Sequence, residues 1–255
     1  MLAFWPEIIH PLLQELDPKH IVEIGSEEGK TTRLLLQFAQ SRGAVVHAVD
    51  PGPVFDVAAW QKQYGETFDF HRLPSLVALC AIERFDAVLI DGDHNWFTVF
   101  NELQLIERRA LDATRPMPLI LLHDVAWPYG RRDLYYAPDA IPAEHRQPWA
   151  KKGISPTRSE LLDQGGLNAK MCNALREGGK RNGVLTAVED YLAQTMFRFQ
   201  LVVIPAVFGL AILLPEPLAA DKPMLAARVR AWAVPEVGRF LERMEMARIA
   251  MLTAR

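Results

Sequence analysis

Between residues 20 and 123, short apolar runs rich in β-branched side chains alternate with helical stretches, and this alternation restricts the fold more than any other feature of the chain. The runs lie at 20–25, 44–50, 66–71, 85–91 and 117–123, with helical periodicity near 30–41, 54–64, 74–83 and 96–109. Strands apolar on both faces must be covered on both, so the pattern predicts an α/β protein whose parallel sheet lies between two helical layers. Ligands of such sheets bind beyond the carboxyl ends of the strands. The residues at those tips are therefore the first candidates for chemistry.

The regular series stops at Asp124. Residues 125–183 are rich in Trp, Tyr, Pro, Gly and Arg, with ten Lys and Arg against six Asp and Glu, a local +4 in a chain of net −3. A stretch of that length without periodicity is expected to carry function. Helix resumes after Asn182, read as the N-cap of GVLTAVEDYLAQT, and the runs FRFQLVVI and VFGLAILL form a terminal hairpin. Beyond Pro235, the apolar residues Val237, Phe240, Leu241, Met244, Met251 and Leu252 recur at helical spacing, a face expected to pack on the domain or on a second subunit.

With 255 residues and half of them hydrophobic, the chain suits one sizeable globular domain. Its charge gives no sign of a basic body built for nucleic acid. Cys80 and Cys172 form no CxxC pair, so both read as free thiols of a reducing, cytoplasmic compartment. The apolar start, MLAFWPEIIHPLL, is expected to be a packed first helix. The run at 199–215 holds Pro205 and Gly209, which favours two strands over a membrane span.

The loop GSEEGKTT after the first run admits two nucleotides. A phosphate loop, GxxxxGK[ST], needs four residues between its glycines, whereas Ser26, Glu27 and Glu28 are three. An NTPase using Lys30, Thr31 and the carboxylate of Asp91 on magnesium is thus one residue short, and the two loop carboxylates would repel a triphosphate. The competing pattern begins at Glu23: ExGxxxG after a first strand resembles motif I of class I S-adenosylmethionine-dependent methyltransferases. Gly25 lets the backbone approach a ligand, Ser26 lies in the same loop, and Gly29 admits close helix packing. Asp50, 27 residues after Glu23, stands where an acid accepts hydrogen bonds from ribose hydroxyls. Ser75, after the third strand, is a candidate near the adenine or a helix N-cap. The bland alternative is that Glu23 and Asp50 only cap strand ends.

The fourth run ends in IDGDHNW and the fifth in LLHDVAW, which gathers Asp91, Asp93, His94, His123 and Asp124 at adjacent tips. So many ionisable groups beside a buried sheet call for a neutralising cation or a hydrogen-bonded network. The pattern resembles metal-dependent sugar O-methyltransferases of the macrolide-tailoring type, within a wider family that includes cephalosporin hydroxylase-like proteins. That resemblance implies a Rossmann-like, doubly wound, mostly parallel seven-stranded sheet, with an inserted lid at 125–183 and a C-terminal helical extension at 222–255. It further implies S-adenosylmethionine as cofactor, aided by Asp91, a divalent metal on Asp91, His123 and Asp124, and His94 as base. His123 departs from the family's usual acid. Imidazole is a poor magnesium ligand and a good one for manganese, iron or zinc, and His123 could instead support the ligands or act as base. Asp93 could ligate, or turn to backbone amides.

In the insert, Trp127, Tyr129, Tyr135, Tyr136, Arg131 and Arg132 offer flat surfaces and forked donors for a small-molecule or glycan substrate, or else pack the insert's own core. The expected function is O-methyl transfer to a hydroxyl of a sugar, glycan or related small molecule. The alternatives are the NTPase and a non-catalytic S-adenosylmethionine-binding module. No nucleic acid or membrane partner is expected, and a homo-oligomer through the last helix is.

Overall fold

The computed structural model describes residues 1–253. Seven strands form one sheet: β1 (His20–Ile24), β2 (Val45–Val49), β3 (Phe68–His71), β4 (Ala87–Ile90), β5 (Leu119–His123), β6 (Phe199–Ile204) and β7 (Leu210–Pro215). Their spatial order is β6-β7-β5-β4-β1-β2-β3. The strands β1 to β5 run parallel, and β7 lies antiparallel to both β5 and β6. Strand order reverses on either side of β1, so the crevice above β1 and β4 is where such a sheet receives a ligand.

The expected strands and helices are present, each strand trimmed by one or more residues. The chain leaves β2 and β4 early, which places Asp50 and Asp91 just past the tips rather than within them, while β5 ends at His123 as expected, with Asp124 beyond it. Helices α2 (Lys30–Gln40), α3 (Val57–Tyr64), α4 (Ser75–Ala81) and α5 (Trp96–Asp112) follow β1 to β4 in turn. In α2 the buried residues Thr32, Leu35, Leu36 and Ala39 keep a spacing of three and four, and Gly43, at φ +59°, turns the chain into β2. The apolar N-terminus is helical as expected and ends in α1 (His10–Leu16), with Ile9, Leu12 and Leu13 fully packed. One core face joins α1 and α2 to the sheet; the opposite face packs α4, α5 and α6 (Val184–Leu192) against Val22, Val88, Ile120 and Leu213. Truncating a residue such as Leu35 to Ala would cost about 2–5 kcal/mol.

Two local expectations are corrected. Asn182 does not cap α6. Gly183 takes that place, while the buried Asn182 accepts from the Asp133 amide (2.7 Å) and donates to the Arg176 and Gly178 carbonyls. Pro74 rather than Ser75 is the cap of α4, so Ser75 is the first helical residue. The last helices are α7 (Glu216–Asp221), α8 (Pro223–Ala231) and α9 (Pro235–Thr253). The face of α9 turned to the domain is Leu241, Glu245 and Ile249, while Phe240, Met244, Met251 and Leu252 remain exposed.

The insert at 125–183 has a fold of its own. Leu134–Tyr135, Cys172–Ala174 and Trp149–Lys151 make a three-stranded sheet, and Gly153–Ser155 pairs with Arg158–Leu162. The run at 199–215 is the β6–β7 hairpin. Among the described residues, no helix is long and apolar enough to cross a membrane.

Candidate active site

Gly25 and Gly29 hold the loop after β1 in conformations that suit glycine. Gly25 has φ +88°, and a Cβ on it would lie 2.6 Å from the Asp91 carbonyl carbon and 2.7 Å from Gly92 Cα. Gly29, at φ +72°, caps α2 against the Trp60 ring. The loop therefore lies directly on the backbone that leaves β4. Asp50 organises it: Oδ2 accepts from the amides of Ser26 (2.9 Å) and Glu27 (2.8 Å), and Oδ1 from that of Gly52 (2.7 Å). Three of about four acceptor sites on the carboxylate are thus taken, leaving one for a ligand. The phosphate-loop reading fails here, because Lys30 is largely exposed and pairs with Glu28 instead of crowning the loop.

Beneath the loop, Glu23 is 2 % exposed and receives the Ser26 hydroxyl at 3.5 Å. Burial pushes its carboxyl up to about 8, so a ligand cation would find a group ready to ionise beside it. Behind the same edge, Glu102 of α5 is fully buried with no hydrogen-bond partner for either carboxyl oxygen. Burial raises it to about 8 as well, with Ser75 beside it pulling the other way and Asp93 adding to the rise.

Four of the five grouped residues, Asp91, His94, His123 and Asp124, meet in a definite arrangement. His123 Nδ1 lies 3.0 Å from Asp91 Oδ1 and 2.8 Å from Asp124 Oδ2, while its Nε2 is 3.0 Å from the Val207 carbonyl. One ligand atom from each of Asp91, His123 and Asp124 lies within 4.8 Å of the others. Asp91 Oδ2 also receives the α-amino group of Met1 at 2.7 Å. Burial alone would lower His123, but the Asp91 and Asp124 carboxylates outweigh it and hold the imidazole up at about 10. Burial would raise the two acids; His123 and His94 outweigh it, lowering Asp124, and Asp91 to well below the carboxylate range. Asp124 adopts φ +58°, a conformation uncommon outside glycine that aims its side chain back at β4.

His94 closes the cluster. Its Nε2 is 3.2 Å from Asp124 Oδ2 and 3.9 Å from Asp91 Oδ1, yet neither ring nitrogen has a hydrogen-bond partner. Burial would lower this imidazole, and the two carboxylates together raise it. The Tyr129 ring stacks on it at 5.6 Å and Tyr136 approaches edge-on at 5.8 Å. Asp93 instead receives the Thr98 hydroxyl at 3.3 Å and stands outside the three-ligand group.

Most of the flat and basic groups of the insert turn inward. Tyr129 and Tyr135 are buried in its core, Arg132 is fully buried and donates to the Ala174 and Ser159 carbonyls, and Arg131 forks onto Glu189 of α6. Tyr136, 55 % exposed, keeps a free ring beside His94. A cleft of about 250 Å³ lies between the insert, β6 and α9, lined by Trp127, Arg131 and Glu242 among others. None of Glu23, Asp50, Asp91, His94 or His123 lines it.

Two further residues shape the site without a signal in the sequence. Asp133, fully buried, accepts from the Trp96 and Gly183 amides (2.7 and 2.6 Å) and the Tyr135 hydroxyl (2.7 Å), tying the insert to the starts of α5 and α6. The neighbouring Leu134 amide donates to the His94 carbonyl at 2.9 Å. Glu245 of α9 accepts from the Val207 and Phe208 amides, both at 2.9 Å. A buried acid on a helix reads in sequence like any solvated one. In the structure the neighbouring β-hairpin turn, whose Val207 and Phe208 have φ of +47° and +67°, shows what the acid holds.

Residues 22–125 match the model of a methyltransferase domain family. The SAH-bound methyltransferase PaMTH1 of Podospora anserina superposes with a TM-score of 0.51 at 16% identity, over 81% of this chain and 76% of that one. The 1,6-didemethyltoxoflavin-N1-methyltransferase of Burkholderia thailandensis superposes with a TM-score of 0.45 at 16% identity, over 80% and 73%. A methyltransferase from Geobacter sulfurreducens does so with 0.43 at 13% identity, over 80% and 74%. No curated protein matches the sequence. The match gives residues 22–125 the pattern of a methyltransferase domain, and the likeness to PaMTH1 is one of fold.

Proposed function

We propose that this chain transfers a methyl group from S-adenosylmethionine to a hydroxyl of a sugar, glycan or related small molecule, with a divalent cation at Asp91, His123 and Asp124. The observation that carries the reading is the junction of two sites: the Gly25 loop rests on the backbone of Asp91, whose side chain enters the His123–Asp124 group. A cofactor on that loop and an acceptor held at the cluster would be neighbours, as in-line transfer requires.

Glu23, Gly25, Ser26, Gly29 and Asp50 hold the cofactor, with Ser75 and Asp91 at its margin. The cofactor, when bound, supplies a methyl group on a sulfonium, for which the buried Glu23 carboxyl and the other acids of this edge are suited neighbours. The donor set, two carboxylate oxygens and one imidazole nitrogen, fits a cation that takes mixed ligands, such as manganese, better than magnesium. His123 Nε2, held on the Val207 carbonyl, leaves Nδ1 to face the two acids, the arrangement by which a ligating histidine is oriented. When bound, the cation would act as a Lewis acid on the acceptor hydroxyl. His94, with both nitrogens uncommitted, accepts the hydroxyl proton at Nε2, and Asp124 stabilises the charge that the ring then carries. Tyr136 offers the face on which a sugar ring or other flat acceptor stacks, and the insert as a lid keeps water from the reacting atoms.

The exposed residues Phe240, Met244 and Met251 of α9 are the face through which a homo-oligomer would form. A second reading, a metal-free binder of the cofactor, draws on one observation: His123 held protonated already neutralises the cluster. The discriminating experiment follows labelled methyl from S-adenosylmethionine onto a panel of hydroxylated acceptors, with and without EDTA. Transfer that chelation abolishes and manganese restores supports the proposal. Loss of about 10²–10⁴-fold in kcat in His94→Ala supports the base. Cofactor binding without transfer to any hydroxyl favours the binder, and transfer indifferent to EDTA removes the cation.

A further inference from the structure

A second group of metal-ligating side chains lies on the sheet, three residues upstream of Asp50. Strands β2 and β3 pair in parallel with His47 opposite Asp69 and Val49 opposite His71. Phe68 and Phe70 point into one core face with Val46 and Ala48, so His47, Asp69 and His71 project together from the other. There the Asp69 carboxylate meets two rings at once: Oδ2 lies 2.9 Å from His47 Nδ1 and 3.1 Å from His71 Nε2. The three ligand atoms all lie within 4.8 Å of one another. In a tetrahedral site with bonds of ~2.0–2.1 Å, ligand atoms stand about 3.3 Å apart, close to the two separations made by Asp69.

A fourth residue completes the case. His20 of β1 places Nδ1 3.1 Å from His47 Nε2, with the two rings stacked at 5.5 Å. A ligating histidine is oriented by a hydrogen bond at its second nitrogen, and His20 makes that bond to His47. If His47 binds through Nδ1, its Nε2–H donates to His20 Nδ1, which places the His20 proton on Nε2.

We propose that His47, Asp69 and His71 form a binding site for a zinc-like transition-metal cation, oriented by His20 and separate from the Asp91 cluster. Two imidazoles and one carboxylate suit zinc, cobalt or nickel over calcium and magnesium. Asp69 is half-exposed, which leaves a coordination position open to water. Without a cation, His47 Nδ1 and His71 Nε2 each face the Asp69 carboxylate as N–H donors, and binding through these atoms would release those protons. The site would clamp the sheet edge next to the cofactor loop, since the Asp50 amide donates to the His71 carbonyl at 3.1 Å.

The test is calorimetric titration of the chelator-stripped full chain with zinc, repeated with cobalt while its visible absorption is followed. Asp124→Asn removes the other candidate site at a position whose positive φ asparagine tolerates, so zinc binding that persists in this variant belongs to the strand site. In that background His71→Gln should weaken zinc by at least about 100-fold, and His20→Phe by about 10–100-fold. The cobalt visible bands should fall with them. A flat titration in Asp124→Asn, or equal zinc affinity with and without His71, overturns the proposal. Neither outcome bears on methyl transfer, which is read separately at Asp91 and His94.

Discussion

Glu245 and His123 grip the same residue from opposite sides: the Glu245 carboxylate accepts the Val207 amide, and the His123 ring meets the Val207 carbonyl. The β6–β7 turn is thus the link between α9 and the site. Its two left-handed residues need an external acceptor for their amides, and Glu245, backed by Arg248, is that acceptor. Helix α9 is therefore linked to the His123 ring through the Val207 backbone.

Replacing Glu245 with Ala strands two half-buried amides and should cost about 1.5–3 kcal/mol, since hydrogen bonds to a charged acceptor are lost. Thermal melting measures that cost. His123 would lose its fixed carbonyl, so turnover should fall further than cofactor affinity does. Equal losses in S-adenosylmethionine binding and in kcat would show a purely structural role.

Gly25→Ala places a methyl group against the Asp91 and Gly92 backbone at a φ of +88°. The strain, about 1–3 kcal/mol, falls on the loop proposed to carry the cofactor. Calorimetry should show S-adenosylmethionine binding weakened at least tenfold while the far-ultraviolet spectrum stays unchanged. Unaltered affinity would separate the loop from the cofactor.

The sheet was legible because each of its strands carries its own signal, an apolar β-branched run, and because the tips follow from where the runs stop. The grouping of Asp91, His123 and Asp124 was legible for the same reason: adjacent parallel strands bring their carboxyl ends together. What the sequence concealed depends on register and on distant pairing. His47, Asp69 and His71 come from separate segments with no metal-ligand spacing, and meet only because β2 and β3 pair with His47 opposite Asp69. Asp133 and Glu245 act through backbone amides, which have no letter in the sequence. In α9 the apolar row was visible but its use was not, because Leu241 and Ile249 face the core while Met244 and Met251 do not.

His123→Asp tests the metal directly. An acid there supplies a third carboxylate, which suits magnesium, whereas the native imidazole suits manganese or zinc. Methyl transfer in the variant, assayed after chelation and reloading, should shift toward magnesium by about tenfold relative to manganese, a change of ~1.4 kcal/mol in relative affinity. An unchanged metal preference would remove His123 from the coordination sphere.

Glu102 gives a stability test independent of activity. Its carboxyl is raised from 4.5 to about 8 by burial, so between those values the folded state holds a proton that the unfolded state has released. The folded state binds more protons, and stability must therefore fall as pH rises through that window, at up to about 1.4 kcal/mol per unit, then level off above it. Glu102→Gln keeps the shape and removes the titration. The urea midpoint of the variant should match that of the wild type near pH 5 and exceed it near pH 9, with the gap on the order of a few kcal/mol. Glu23, also raised to about 8, keeps part of the slope in the variant. Parallel stability curves for the two proteins across this range would mean that Glu102 is ionised and partnered at neutral pH, contrary to its burial without a hydrogen bond.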